Sequence, residues 1–432
     1  MLILFNKLKK FNTNLRMPQQ YKKAYKFFEN VFSLVSLKSI DLGIAIWLIP
    51  YLIYKVGLQN YGIYAFAISL LLYFINIINY SFDFTAVRDL ANPSKKNTNS
   101  IFNEVFTVKF YLTGILFIFL ILIVLLFPKF SEHKSLYVFG TFLLVSELFS
   151  LRWFFFGVEK MKYLPAIQLA GTLLNVVLVL LFIQQPENYV YIILFEGIGL
   201  FTANLIGFFY VLSEYKLNLK LLPFITVKKY LIHNFYAFLN VMIPSMLSNT
   251  AVFMMGLFSI PAHVSIVQLG VKFSNAFSTL NTILTKVFYS LVNRKRHFMK
   301  TSFIVLIVVG VFLSVSMYFS ANILIEPWLK LENEIALNNV ILIIKILSPT
   351  PLFMAIISAY SVNGLLVFYK DKIVGLITII TTVIGVMIGV ILIPKYAFIG
   401  GALFLLTARG LYALLSVILF KKNINLKQSK IL

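Results

Sequence analysis

Apolar residues in this chain do not alternate and do not recur on one face; they run on for about 20 residues at a time, the length that spans a bilayer as a helix. Twelve such stretches are read, at 34–55, 61–80, 106–127, 136–157, 163–183 and 189–212 in the first half and at 235–258, 264–291, 301–323, 338–365, 373–394 and 398–420 in the second. They follow one another so closely that no soluble domain of any size fits between them. The pattern predicts an all-α membrane protein of about twelve transmembrane helices.

Basic residues set the orientation. With Lys38 and Arg152 counted in the flanking loops, the termini and even-numbered gaps hold 28 Lys and Arg and the odd-numbered gaps 5. The excess of cations marks the cytoplasmic side, so both termini are expected there. The expected organisation is a basic N-terminal arm (1–33), a first six-helix lobe (34–213), a cytoplasmic linker (214–234), a second six-helix lobe (235–420) and a cytoplasmic tail (421–432). The arm has no short apolar core ending in a small-residue cleavage site, unlike a cleaved signal peptide.

Composition narrows the function classes. The chain is 60% hydrophobic and 12% charged, with a mean hydropathy of +0.90, which describes a chain dissolved in lipid. Its net charge of +23 sits at the ends of apolar runs, facing anionic headgroups, and so does not point to nucleic acid. There is no cysteine, hence no thiolate nucleophile or thiolate metal site. The four histidines are scattered over loops, with no nucleophile elbow and no phosphate loop. No enzyme, metal or cofactor is expected, and active transport would draw on a gradient, with coupling to H+ or Na+ open.

A weak internal repeat divides the chain in two. Lys160-Met161-Lys162 follows the fourth stretch, and Lys370-Asp371-Lys372 follows the tenth, 210 positions later. Six helices per half is an even number, so the halves would be related by an axis along the membrane normal.

The eighth stretch carries the sharpest local signal. Gln268, Lys272, Asn275, Thr279, Thr282 and Lys286 recur at spacings of 4, 3, 4, 3 and 4, one polar stripe on a helix. Such a stripe cannot face lipid, because a cation at the bilayer centre costs about 2.5–3.5 kcal/mol even on the lenient scale. It is expected to line an aqueous lumen, joined by Arg409 from the last stretch. Glu147, Glu196 and Asp41 are the intramembrane acids. They are candidates to carry a coupling proton or hold sodium, or equally to be static counter-charges. Arg152 lies five residues after Glu147, about 140° round a continuous helix, and so is not expected to pair with it. Ser348-Pro349-Thr350-Pro351 is expected to bend the tenth helix, with lesser kinks at Pro50 and Pro244.

Several motifs then carry a family resemblance. Tyr51, Gly57, Tyr61-Gly62, Ala67, Tyr80-Ser81-Phe82 and Ala86-Val87-Arg88 resemble the opening of bacterial O-antigen and capsule repeat-unit flippases, in the multidrug/oligosaccharidyl-lipid/polysaccharide exporter superfamily. Trp153-Phe154-Phe155-Phe156-Gly157-Val158-Glu159-Lys160-Met161-Lys162-Tyr163 resembles the family signature after the fourth helix, and Met254-Met255-Gly256-Leu257-Phe258 with Lys272 resembles its seventh and eighth helices. The chain departs from the family pattern at Ser81, Phe156, Ile266, Val267 and Val271.

The resemblance implies two six-helix lobes around an alternately open, V-shaped cavity, as in the drug exporters of that superfamily. It also implies translocation of an undecaprenyl-diphosphate-linked oligosaccharide across the inner membrane, beside membrane lipids and with a polysaccharide polymerase and chain-length regulator as possible partners. A cationic lumen suits a diphosphate. Lys272, Lys286 and Arg409 would offset its charge, and Gln268, Asn275, Thr279 and Thr282 would meet sugar hydroxyls. Arg88, Glu159 and Lys160 are expected to be architectural. The alternatives are a cation-coupled drug exporter, whose site should be dominated by carboxylates, and a membrane polymerase or glycosyltransferase, which would need a larger outward loop.

Overall fold

The computed structural model describes residues 19–91, 97–331 and 333–424, which leaves residues 1–18 of the basic arm and 425–432 of the tail outside the described residues. The first half comprises α1 (Gln19–Asn79), α2 (Phe82–Ala91), α3 (Thr98–Leu126), α4 (Pro128–Ser131), α5 (Lys134–Phe149), α6 (Arg152–Gly157), α7 (Tyr163–Phe182) and α8 (Val190–Glu214). The second half comprises α9 (Phe224–Phe258), α10 (Pro261–Arg294), α11 (Phe298–Leu329), α12 (Glu334–Leu347), α13 (Thr350–Ile357) and α14 (Asp371–Asn423). In hydrocarbon each segment must satisfy its own backbone groups, which is why long apolar runs become helices.

Among the described residues, eight helical stretches are long and apolar enough to cross a membrane. Helices α1 and α14 each carry two of the predicted stretches. The first pair meets at Gly57 (φ 80°, ψ 161°) and the last pair at Ala397 (φ 49°, ψ −127°). Only glycine adopts the Gly57 conformation without strain, so the break falls there, and Pro50 stays in helical backbone. Helix α10, at 34 residues, is long enough to cross. It is absent from the apolar set because its polar residues lower its hydropathy.

The fourth and tenth predicted helices are broken. The fourth splits at Ser150 and Leu151, between α5 and α6. The tenth splits at Ser348-Pro349 as the prolines require, then passes through a π turn (Ser358–Val362) and a 3-10 turn (Leu365–Phe368). The Leu352 amide, left without a helical acceptor at the proline break, donates to Ser314 Oγ at 3.0 Å, and Asn281 Nδ2 adds a second donor to the Pro351 carbonyl at 3.1 Å.

The internal repeat is visible in the backbone. Glu159 (φ 53°) and Tyr369 (φ 57°), 210 positions apart, are both left-handed, each just before a repeat lysine. The Lys160 amide reaches the Phe155 carbonyl and the Lys370 amide the Leu365 carbonyl, both at 3.0 Å. Each is the closing bond of a helix C-terminal turn.

The Trp153-Phe154-Phe155 signature is packed inside the first half. All three rings are buried, with Phe154 edge-on to Tyr215 at 4.9 Å and Trp153 tilted against Phe102 at 6.3 Å. Aromatic packing of this kind fastens the end of α8 and the start of α3 to the loop that carries Lys160.

Candidate functional site

Helix α10 presents its predicted stripe away from its own half. Asn275, Thr282 and Lys286 are exposed, while Gln268, Lys272 and Thr279 are half-buried. A second polar row, Ser274, Ser278, Asn281 and Thr285, lies one residue behind it and is buried. All four of its members bond within the second half: Ser278 and Thr285 donate to carbonyls one turn back, Asn281 reaches Pro351, and Ser274 accepts from Arg409. This inner row was hidden in the sequence because its residue types are those of ordinary helix contacts.

Lys272 is where the stripe meets the first half. It lines a cavity of about 180 Å³ together with Tyr61, Tyr64, Gln168, Asn175 and Glu196. The Tyr64 hydroxyl donates to Glu196 Oε2 at 2.8 Å. A neighbouring cavity of about 170 Å³ is lined by Ser146, Glu147, Arg152, Gln168, Glu196 and Asn204. Gln168, Glu196 and Leu200 border both, so a polar surface runs from Lys272 to Arg152.

The other predicted residues are distributed differently. Glu147 is enclosed by cations: Lys109 Nζ lies 3.1 Å from its Oε1 and Arg152 Nη2 3.6 Å from its Oε2. The Arg152 contact corrects the expectation that the two residues would point apart. That expectation assumed a continuous helix, and the break between α5 and α6 turns Arg152 back. Lys109 was not recognised as a partner, since only the fold brings α3 beside the end of α5.

Arg409 is also corrected in place. Its residue is only 4% exposed, and its guanidinium donates to Ser248 Oγ, Ser274 Oγ (3.4 Å) and Asn275 Oδ1 (3.3 Å). Close packing of α14 against α9 and α10 encloses it, so it touches the lumen stripe only through Asn275.

The side chain of Asp41 lies outside the described residues. Arg88 is exposed on α2, 3.8 Å from Asp89. Lys160 lies 3.7 Å from Glu214 and 5.0 Å above the Tyr215 ring, tying the loop before α7 to the end of α8. Glu159 supplies the left-handed turn beside it.

The halves join along α1, α9 and the start of α10; at the even-loop end the Tyr80 hydroxyl donates to the Leu231 carbonyl at 2.8 Å and its ring stacks on Phe238 at 4.4 Å, and at the odd-loop end the backbones themselves meet. Gly62 lies directly against Pro261: a Cβ there would stand 1.8 Å from the Pro261 carbonyl oxygen. Ser265 Oγ donates to the Leu58 carbonyl, and Lys129 Nζ donates to the Leu257 carbonyl at 2.8 Å. Further along, Asn249 Nδ2 donates to the Ser69 carbonyl at 2.8 Å, and the hydroxyls of Tyr73 and Thr250 share a hydrogen bond at 2.6 Å. Beyond Lys272, towards the even-loop end, the α10 stripe is uncovered.

Comparison with known proteins agrees with this architecture. The chain is 25% identical over 404 residues to the "Putative O-antigen transporter" of Escherichia coli (strain K12), covering 91% of this chain and 96% of that one. Its fold is similar to that of the lipid II flippase MurJ in an inward closed conformation (TM-score 0.71, 16% identity, 93% of this chain and 89% of that chain). It is also similar to an inward-facing multidrug transporter of the MATE family (TM-score 0.65, 11% identity, 91% and 95%). The polysaccharide biosynthesis protein family model matches residues 27–292, well over half of the chain. This multi-pass membrane protein belongs to the polysaccharide biosynthesis protein family.

Proposed function

We propose that the protein is a flippase for O-antigen-type or related surface polysaccharide, carrying an undecaprenyl-diphosphate-linked oligosaccharide across the inner membrane by alternating access. The observation that carries this reading is Lys272: a half-buried cation on a polar stripe whose further members Asn275, Thr282 and Lys286 are exposed, at the cavity where the two halves meet. An uncovered polar stripe inside a membrane protein faces water, because lipid would leave its charges unsolvated. A cation there makes short, charge-assisted hydrogen bonds to a diphosphate. Amides and hydroxyls at Gln268, Asn275, Thr279 and Thr282 suit sugar hydroxyls, and the polyprenyl tail stays in lipid. Arg409 supports the stripe from behind by holding the Asn275 amide oxygen.

The end bearing the even-numbered loops is read as cytoplasmic from its basic residues. Release on the opposite side then requires parting of Gly62 from Pro261. Of the candidate acids, Glu196 suits a coupling role better than Glu147, which two cations already neutralise. Glu196 shares its cavity with Lys272, so a proton or sodium ion arriving there removes a negative charge beside Lys272 and strengthens the hold of the site on an anion, and its departure weakens that hold.

Complementation of a flippase-null strain tests the reading. Lys272→Ala should keep membrane abundance and lose surface glycan, and Lys272→Arg should retain much of it. Wild-type glycan from Lys272→Ala at normal abundance would remove Lys272 from the substrate path.

A further inference from the structure

Between α8, which ends at Glu214, and α9, which begins at Phe224, the chain takes no helical turn over residues 217–223. It is laid instead along α3. The Asn218 amide donates to Asn99 Oδ1 at 2.9 Å, and Asn103 Nδ2 donates to the Asn218 carbonyl at 3.0 Å. The Lys220 amide donates to Asn103 Oδ1 at 3.0 Å and the Leu222 amide to Thr107 Oγ1 at 3.1 Å. The Phe224 ring then meets Tyr111 edge-on at 5.4 Å. Asn99, Asn103, Thr107 and Tyr111 are four residues apart, on one face of the helix. Four helical residues advance about 6 Å and two extended residues about 6.6 Å, so every second residue of the linker meets the next rung.

This ladder carries the linker into the bilayer. Helix α3 starts at the even-loop end, and Thr107 and Tyr111 already lie within its apolar stretch. Non-helical backbone at that depth is tolerated only where protein satisfies it, and side chains of α3 do so for three amides and a carbonyl. The linker side chains left outward are of two kinds. Leu219, Leu221, Phe224 and Ile225 are each about half exposed, and Lys216, Lys220, Lys228 and Lys229 are exposed. From 215 to 230 there are four lysines and no acid, and Glu214 is engaged by Lys160 at 3.7 Å. Apolar side chains at the hydrocarbon boundary with lysines beside them complement an anionic headgroup layer. We infer that residues 216–229 form an interfacial strap that binds anionic phospholipid on the even-loop side, with its leucines in the acyl boundary, its lysines on the phosphates, and Asn103 as the positioning residue. Such a strap is independent of what the protein carries.

The chain has no native cysteine, so Leu219→Cys can carry a bimane label in full-length protein. In phosphatidylcholine nanodiscs doped with brominated phosphatidylglycerol or, separately, brominated phosphatidylcholine, quenching reports which lipid stands against the strap. Phosphatidylglycerol should quench at the lower mole fraction. Lys216→Gln/Lys220→Gln should reduce that preference by about fivefold or more, the effect of one or two lysines beside an anionic surface. A label at Leu181→Cys, exposed near the odd-loop end of α7, should show no preference. Asn103→Ala, which removes the two central rungs, should mobilise a nitroxide at Leu219→Cys and lower the preference with both lysines in place.

A label at Leu219→Cys quenched by neither lipid overturns the inference, since the strap then faces water or another protein. Equal quenching by the two lipids overturns it as well, as does a preference undiminished by Lys216→Gln/Lys220→Gln, because lipid then touches the strap without being selected by its lysines. An immobile label and full preference in Asn103→Ala overturn the positioning role of α3. Should Asn103→Ala fail to fold, Thr107→Val, which removes only the acceptor of the Leu222 amide, reads the same two quantities.

Discussion

Gly62→Ala should separate folding from closure. A Cβ at this position would stand 1.8 Å from the Pro261 carbonyl oxygen and 2.6 Å from its carbon. Ordinary contact needs about 3.5 Å, so α1 and α10 must part by about 1.7 Å. The obstacle is backbone, so no rotamer relieves it. Parting the helices also breaks the nearby bond from Ser265 to the Leu58 carbonyl. Overpacking costs about 1–3 kcal/mol and the lost hydrogen bond about 1 kcal/mol. Together these are about 2–4 kcal/mol, a shift of about thirtyfold or more against the closed odd-loop end. The helix itself gains, since alanine in a helix interior is favoured over glycine by about 1 kcal/mol. Abundance should therefore hold while closure fails. The chain has no native cysteine, so Glu132→Cys in the first half and Tyr396→Cys in the second can be spin-labelled directly. Double electron–electron resonance should show a longer, broader distance in Gly62→Ala. An unchanged distribution at normal abundance would refute the assignment of this contact as the closure point.

Three further outcomes follow from named contacts. Lys109→Met should lower stability by about 3–5 kcal/mol, because Glu147 is left buried without its nearest counter-charge, and the Lys109→Met/Glu147→Leu pair should recover most of it; melts in detergent read both. Arg409→Met should leave the melting temperature unchanged or raised, since a buried charge with only neutral partners is relieved. It should still reduce surface glycan, because Asn275 loses its anchor. Asn281→Leu should cost at most about 1 kcal/mol, since it removes one neutral hydrogen bond while the Pro351 carbonyl keeps its place in the α13 helix, seen as slightly faster hydrogen exchange around the tenth-helix break.

Helix positions were legible because bilayer thickness and backbone satisfaction leave a long apolar run one option. The α10 stripe was legible for a related reason: helical spacing places side chains without reference to the rest of the fold. Pairings across helices were not. The contacts of Lys109 with Glu147 and of Arg409 with Ser248 join residues 38 and 161 positions apart, and no local spacing encodes them. The misjudged relation of Glu147 to Arg152 has a narrower cause. It followed from carrying one helix through Ser150 and Leu151, where neither proline nor glycine signals a break and the interruption is held by a lysine from α3. Arg409 misled in a similar way: an arginine in mid-helix was expected to need water, and three neutral side chains of its own half supply its hydrogen bonds instead.

In the proposed mechanism substrate passes along the α10 stripe at Lys272. Reconstituted proteoliposomes carrying a fluorescent undecaprenyl-diphosphate-linked oligosaccharide test it most directly, with flipping read by quencher access to the opposite leaflet. Wild type should flip the lipid, Lys272→Arg should flip it substantially, and Lys272→Ala and Lys272→Glu should fall to background rates at equal protein incorporation. Flipping by Lys272→Ala at the wild-type rate would contradict it.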